Sequence, residues 1–155
     1  MRSNQDGIIN HFCEFENDTR NAIEQFLWHR KLLLEKLSKY NPTVEFDLRK
    51  YFPALYNELK NFRRTHIYKA HTANLDQGIS EGLYRADLNV HMVATMMMVN
   101  HIHTFDPNNG YFSVEEIFKN DFLLQFIIYH FYAICTPKGI DVLLQLKAQG
   151  LLDVN

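Results

Sequence analysis

The sequence is poor in residues that interrupt or cross-link a chain. Its 155 residues include two cysteines, four prolines and six glycines. Cys13 and Cys135 lie among apolar neighbours, which is typical of buried reduced thiols in a cytoplasmic protein and argues against a disulfide framework. The scarcity of proline and glycine leaves room for long uninterrupted helices.

Long hydrophobic runs and strong charge are also missing. The most apolar segment, residues 122–134, spans 13 residues, whereas a membrane-crossing helix needs about 20. The first residues, MRSNQDG, are not followed by the apolar run of a signal peptide. The net charge of −2 and the pI of about 6.4 do not suit nucleic acid. These absences predict a soluble, cytoplasmic protein.

Helical periodicity dominates what is present. Apolar residues are 46% of the chain, enough for one domain with a packed core, and no segment alternates with a period of two. We therefore predict an all-α fold with about seven helices. The expected segments are Ile8–Phe15, a helix from an Asn17 N-cap to Asn41–Pro42, a short helix capped by Thr43, Pro53 to about Glu81 with a stop at Gly82, Val90 to about Thr104 capped by Asn89, a helix after Ser113, Phe122–Ile134, and a last helix from Thr136–Pro137 to near Gly150.

The residue patterns of enzymes are absent. No pair among the eight histidines has the i,i+4 spacing of helical metal ligands, so we interpret the histidines as structural or surface residues. The four serines have no elbow glycines around them, and glycine-rich phosphate loops are missing. The basic run Lys60, Arg63 and Arg64 fits a solvated helix face better than a nucleic-acid patch. We expect no enzymatic activity, no metal and no cofactor.

One loop resembles a calcium site. Residues 105–117, FDPNNGYFSVEEI, contain the residue types of an EF-hand loop. The spacing does not fit, because counting from Asp106 places Gly110 fifth and Glu116 eleventh instead of sixth and twelfth. The same letters are explained by a turn followed by a capping box between Ser113 and Glu116, which we prefer.

The C-terminal quarter suggests a subunit interface. Eleven of the 13 residues in 122–134 are apolar, so this helix must be buried on more than one side. We expect the last two helices to pair with those of a second copy in a four-helix interface; the alternative is that both are central in a monomeric core. The predicted interface residues are Phe122, Phe126, Tyr129, His130, Ala133, Ile140, Leu143 and Leu144.

A small-molecule pocket is predicted among the middle helices. Methionine adapts to irregular apolar ligands, and three methionines follow one another at residues 96–98. The candidate lining residues are Trp28, Phe62, His66, Ala70, Met97 and His101. The alternative is that this stripe of methionines and aromatic residues belongs to the core.

Three stretches of the chain resemble a known family. They are NPTVEFDLRKYFPALYNEL (residues 41–59), GISEGLYRADLN (78–89) and CTPKGIDVL (135–143). In this order they are similar to the C-terminal domain of TetR-type transcriptional regulators, in a form common in Bacteroidetes. The resemblance implies an all-helical domain that senses an effector and dimerises through its last two helices.

The chain departs from that family in its N-terminal part. The regulators begin with a helix-turn-helix of about fifty residues, and nothing of that kind precedes Ile8. We expect residues 1–16 to be the remnant of a connecting helix and residues 17–155 to form the sensing and dimerisation domain. The resemblance then implies a homodimer with an unidentified effector, reaching DNA only through a helix-turn-helix outside this chain. The alternative is a stand-alone helical dimer that binds a small apolar molecule or a protein partner.

Overall fold

The computed structural model describes residues 18–37, 42–100, 110–117 and 120–151. These residues confirm the all-α prediction, and they form seven helices, one of them a single turn. Within the described ranges the only β-type pairing is one isolated bridge. The helices are α1 (Ala22–Leu37), α2 (Pro42–Tyr51), α3 (Pro53–Ser80), α4 (Val90–Val99), α5 (Val114–Ile117), α6 (Asn120–Ile134) and α7 (Pro137–Ala148).

The long helix α3 organises the bundle. It packs most extensively against α4 and also contacts α1 and α2, while α1 reaches α7. The hydrophobic core collects apolar side chains from α1, α3, α4, α6 and α7 and from the loop after α3. Its buried members are Ala22, Ile23, Leu27, Leu75, Leu83, Tyr84, Val93, Ala94, Met97, Ile127, Phe131, Ile134, Cys135, Leu143 and Leu146.

Most helix ends follow the predicted local chemistry. Asn89 caps α4, because its side-chain oxygen accepts from the amide of Met92 at 3.0 Å. Thr136 caps α7 in the same way, accepting from the amide of Gly139 at 3.2 Å. Pro53 occupies the first turn of α3, where its missing N–H costs nothing.

The capping box before α5 is confirmed. The hydroxyl of Ser113 accepts from the amide of Glu116 at 3.2 Å, and the Glu116 carboxylate accepts from the Ser113 amide at 2.8 Å. This reciprocal pair explains the late glutamate of the loop without a bound cation. The remainder of the calcium-like loop, residues 105–109, lies outside the described residues.

Two predicted helix starts are wrong. The first long helix begins at Ala22, because Asn21 accepts from the amides of Ile23 and Glu24 at 3.1 and 3.0 Å and so terminates the helix instead of Asn17. The short helix begins at Pro42, which places Thr43 inside its first turn. The predicted helix Ile8–Phe15 lies outside the described residues.

The end of α3 is a glycine-terminated turn, as predicted. Gly82 has a φ of 69°, a conformation that side chains other than glycine rarely adopt. The amide of Leu83 donates to the carbonyl of Gly78 at 2.9 Å, and the amide of Gly82 donates to that of Ile79 at 3.0 Å. These two hydrogen bonds satisfy carbonyl groups that have no partner within the helix at its C-terminal end.

The loop after α3 pairs with the corner between α6 and α7 through the isolated antiparallel bridge. We call this contact, between residues 83–85 and 134–136, the junction. The amides of Arg85 and Thr136 donate across it to the carbonyls of Ile134 and Leu83, each at 2.9 Å. Backbone hydrogen bonds therefore hold together two parts of the chain about fifty residues apart in sequence.

Glycines allow the close approach at the junction. A Cβ atom at Gly139 would overlap the carbonyl oxygen of Leu83, and one at Gly78 would overlap the ring of Tyr84. Both glycines are buried. Close packing alone therefore explains why the stretches 78–89 and 135–143 carry glycine at residues 78 and 139.

A buried polar chain ties the start of α1 to the end of α3. The hydroxyl of Tyr84 donates to the side-chain oxygen of Asn74 at 3.1 Å, and the Asn74 amide group donates to the carbonyl of Ala22 at 2.7 Å. The carboxylate of Glu81 accepts from the amide of Ala22 at 2.9 Å. The polar side chains of Asn74, Glu81 and Tyr84 therefore all have partners, which limits the relative movement of the two helices.

Candidate functional site

The predicted pocket residues lie in several parts of the bundle. Trp28 is half-buried on α1, and Met97 belongs to the buried core on α4. Phe62 and His66 contact each other on α3 with ring centroids 3.8 Å apart, and Ala70 lies one turn further along the helix. His101 lies outside the described residues.

The structure brings together a different set of rings, from three helices. Phe26 of α1 lies between His71 of α3 and His130 of α6, with centroid distances of 6.1 and 6.4 Å. His29 follows Phe26 by three residues, which places the two on the same face of α1. We call Phe26, His29, His71 and His130 the histidine cluster.

The cluster borders the core and is not part of its fully buried centre. Phe26 contacts the buried ring of Phe131 edge-on at 5.1 Å. All four members of the histidine cluster are half-buried, so each retains some accessible surface although the rings of three helices meet there. Fully buried core residues retain almost none. Aromatic and histidine side chains of three helices therefore meet at the border of the core.

The ring nitrogens of the cluster are shielded from water. Both nitrogens of His29 and the Nε2 atoms of His71 and His130 have almost no accessible surface. For His130, Nε2 meets no hydrogen-bond partner among the residues that the structure describes. Burial lowers the pKa of His130 to about 4, because desolvation disfavours the imidazolium ion. His130 is therefore neutral at pH 7.

Trp28 connects the cluster to the surface. Its ring contacts that of His29 edge-on at a centroid distance of 5.5 Å. The guanidinium group of Arg20 lies 3.9 Å above the Trp28 ring, in the geometry of a cation–π interaction. Arg20 also pairs with Asp18 at 2.7 Å, and its hydrogen bond lowers the pKa of that carboxyl group. A charged pair thus covers the outer side of the tryptophan.

The residues predicted for a subunit interface divide between surface and interior. Tyr129 and Leu144 are 77% and 48% exposed, and Ala133 is also exposed. Leu143, at 2% exposure, packs in the chain's own core, which leaves it no surface for a partner. The half-buried residues are Phe122, Phe126, His130 and Ile140. Tyr132, which the sequence analysis did not include, is 56% exposed.

The described part of the chain contains little that could support metal binding or thiol chemistry. Those residues contain no group of three or more His, Cys, Asp or Glu side chains that could hold a metal ion. The thiol of Cys135 is buried, and this burial raises its pKa to about 12. A thiol with such a pKa stays protonated and unreactive at neutral pH. Cys13 lies outside the described residues.

Sequence reasoning missed Phe26, His29 and His71. The i,i+4 spacing relates residues of one helix, whereas the histidines of the cluster come from three different helices. A weaker signal was available: His71 is five residues from His66, so the two point about 140° apart on α3, and only one can face α1. Which one does so depends on the crossing of the helices.

Comparison with other proteins leaves the family open. Neither family models nor curated proteins nor solved structures give a match to this chain. Within its described ranges, no helix combines the length and the apolar character needed to cross a membrane.

Proposed function

We propose that this chain is the effector-sensing and dimerisation domain of a TetR-like transcriptional regulator, with DNA contacted through a separate helix-turn-helix. Three features support the proposal: the all-α order of elements, the half-buried histidine cluster between the helices, and an apolar surface on the last two long helices. The three resembling stretches fall on α2 and α3, on the loop after α3, and on the corner that opens α7.

The observation that carries the proposal is that α6 is apolar on both sides. Ile127, Phe131 and Ile134 are buried in the core. On the opposite side Tyr129 and Tyr132 are 77% and 56% exposed. Large exposed aromatic side chains next to one another are typical of protein interfaces, where they contribute much of the binding energy. A second copy of α6 and α7 supplies a matching surface.

The same helix connects the histidine cluster with that surface. His130 belongs to the histidine cluster, and its sequence neighbour Tyr129 faces outward. A molecule that displaced α6 at the histidine cluster would therefore shift the exposed tyrosines as well. This is a direct mechanical route from effector binding to the geometry of a dimer, because a packed helix moves as a unit.

Light scattering coupled to size-exclusion chromatography tests the dimer. The wild-type chain is expected to be dimeric at about 10 µM, as natural homodimers with well-packed interfaces are. The double variant Tyr129→Glu/Leu144→Glu buries two carboxylates in the proposed interface, so we expect a monomer with unchanged far-UV circular dichroism. Tyr111→Glu, at a position that is 72% exposed outside α6 and α7, is the matched control and should remain dimeric.

Two results would contradict the proposal. A wild-type chain that is monomeric at this concentration removes the dimerisation part. A genomic reading frame that does not continue upstream of Met1 into a helix-turn-helix removes the regulatory part, because the chain then has no route to DNA.

A further inference from the structure

The corner between α2 and α3 carries exposed aromatic side chains. Phe46 is 51% exposed, and Tyr51 and Phe52 are each 61% exposed. Phe52 separates the two helices: because Pro53 follows it, its backbone leaves the helical conformation, with a φ of −134° and a ψ of 58°. Single exposed apolar residues are common on proteins, whereas several large rings close together are typical of binding surfaces.

Two cations lie among these rings. The ammonium group of Lys50 is 5.7 Å from the centre of the Phe46 ring and 5.0 Å from that of Tyr51. The guanidinium group of Arg49 is 5.9 Å from the centre of the Phe46 ring. Cation–π contacts restrict the orientations of both partners, so less entropy is lost when another molecule covers them. We call Phe46, Arg49, Lys50, Tyr51 and Phe52 the corner surface.

Positive charge continues from the corner surface along α3. Lys60 and Arg64 are exposed and follow Phe52 by eight and twelve residues, which keeps all three on the same half of the helix circumference. At 1.5 Å per residue, Arg64 lies about 18 Å along the helix from Phe52. Within the described ranges, no acidic side chain forms an ion pair with the cations of this surface, Arg49, Lys50, Lys60 and Arg64. We call Lys60 and Arg64 the basic strip.

The charge of this region is opposite to that of the whole chain. Residues 42–69 contain six basic and three acidic side chains, whereas the net charge of the chain is −2. An extended anion, such as a nucleic acid or an anionic membrane, therefore also meets the negative remainder of the molecule. A short peptide segment interacts mainly with charges within about 10 Å, the screening length at moderate salt. The charge distribution thus favours an acidic partner of limited size.

We propose that the corner surface and the basic strip bind an acidic amphipathic helix of a protein partner. Apolar side chains of this helix cover the exposed rings, and its carboxylates face the cations. An amphipathic helix presents both kinds of side chain along one line, and roughly four turns span the distance from Phe52 to Arg64. The described residues offer no sheet edge to which an extended peptide could add as a strand. The inference is independent of effector sensing and of the dimer through α6 and α7.

A labelled peptide tests the surface on the full-length chain. The probe is a synthetic helix of about 16 residues, with leucine on one face, glutamate on the other and fluorescein at one end. Fluorescence anisotropy follows its titration with the chain at pH 7 in about 50 mM salt. We expect saturable binding that weakens in about 0.5 M salt, where charges are screened over shorter distances. Two companion peptides, with glutamine for every glutamate or serine for every leucine, should each bind at least about tenfold more weakly.

Loss of one exposed ring tests the corner surface. Phe52→Ser should weaken binding of the acidic peptide by about tenfold, because truncation of a central aromatic residue removes much of the binding energy of an interface. Tyr111→Ser, at a position that is 72% exposed outside α2 and α3, is the matched control and should bind as the wild type does.

Loss of two charges tests the basic strip. Lys60→Gln/Arg64→Gln should also weaken binding by about tenfold, because the carboxylates of the peptide lose their nearest cations. The matched control is Lys31→Gln/Lys147→Gln, which removes the same charge from exposed positions on α1 and α7 and should change the affinity less than about twofold. All these positions are at the surface, so we expect wild-type far-UV circular dichroism for each variant.

Four results overturn the inference: no binding of the acidic peptide, equal binding of the glutamine peptide, equal affinities of Phe52→Ser and Tyr111→Ser, or equal affinities of the two double variants. Binding of the chain to vesicles of equal parts phosphatidylserine and phosphatidylcholine, without binding of the acidic peptide, also overturns it and assigns the surface to a membrane. None of these results alters the light-scattering test of the dimer, so the two proposals fail separately.

Discussion

At the scale of single residues, His130 combines burial with a ring nitrogen that has no partner among the described residues. Its Nε2 atom lacks a partner there, and burial lowers its pKa from 6.5 to about 4. In the unfolded chain the imidazole regains its ordinary pKa and binds a proton more readily. The unfolded state therefore takes up more protons than the folded state as the pH falls below 6.5.

Protonation of His130 is predicted to make the fold acid-sensitive. Above pH 6.5 His130 is neutral in both the folded and the unfolded chain, so its protonation does not lower the stability. As the pH falls from 6.5 to about 4, the free energy of unfolding decreases by about 3 kcal/mol, the value that corresponds to a pKa shift of this size. Urea denaturation at several pH values measures it. In His130→Phe the free energy of unfolding should fall less steeply over this range, whereas the surface variant His91→Phe should keep the wild-type slope. Parallel profiles for wild type and His130→Phe would contradict the prediction.

At the scale of elements, local chemistry decided most helix ends. Gly82, Asn89 and Thr136 act where the sequence predicted, because caps and stops depend on residues within one turn. The start of α1 was harder to predict. Residues 17–21, NDTRN, offer several capping side chains, and the choice of Asn21 depends on Glu24 together with a contact from Glu81, the residue that follows α3.

Removing the α1 cap should cost about 1 kcal/mol. In Asn21→Ala the amides of Ile23 and Glu24 lose their acceptor, a change of typical cap energy. Asn21→Ser keeps a side-chain oxygen acceptor without placing a second carboxylate against that of Glu24, to which the Asn21 amide group donates at 2.7 Å, and should retain most of the stability. Thr19→Ala, at an exposed position before the helix, is the control. If Asn21→Ala and Thr19→Ala have the same urea midpoint, Asn21 is not the cap.

At the scale of the whole molecule, the class of fold could be predicted from the sequence, whereas the histidine cluster could not. Helical periodicity is a property of each segment, so the all-α prediction needed no knowledge of packing. The meeting of Phe26, His71 and His130 depends on how α1, α3 and α6 cross, which no local pattern contains. The predicted residues His66 and Phe62 share α3 with His71 but contact each other instead.

The junction is predicted to open only when the whole chain unfolds. The amides of Arg85 and Thr136 lie outside helices, yet each is bonded across the junction at 2.9 Å. Native-state hydrogen exchange should therefore show them protected to about the same free energy as core amides of α3. The amide of Phe52, bonded to the carbonyl of Leu48 at 2.9 Å at the exposed end of a short helix, is the comparison and should exchange faster. Equal rates for all three would contradict a globally closed junction.

The overlap that a side chain at residue 78 would make with the Tyr84 ring has an evolutionary consequence. Gly78 and Tyr84 share one space, so enlargement at one position is tolerated only with reduction at the other. Either change alone should be selected against: a larger residue 78 overcrowds the space, and a smaller residue 84 leaves a cavity. Relatives of this chain should therefore vary at these two positions jointly, and a double substitution should cost less than the sum of its parts.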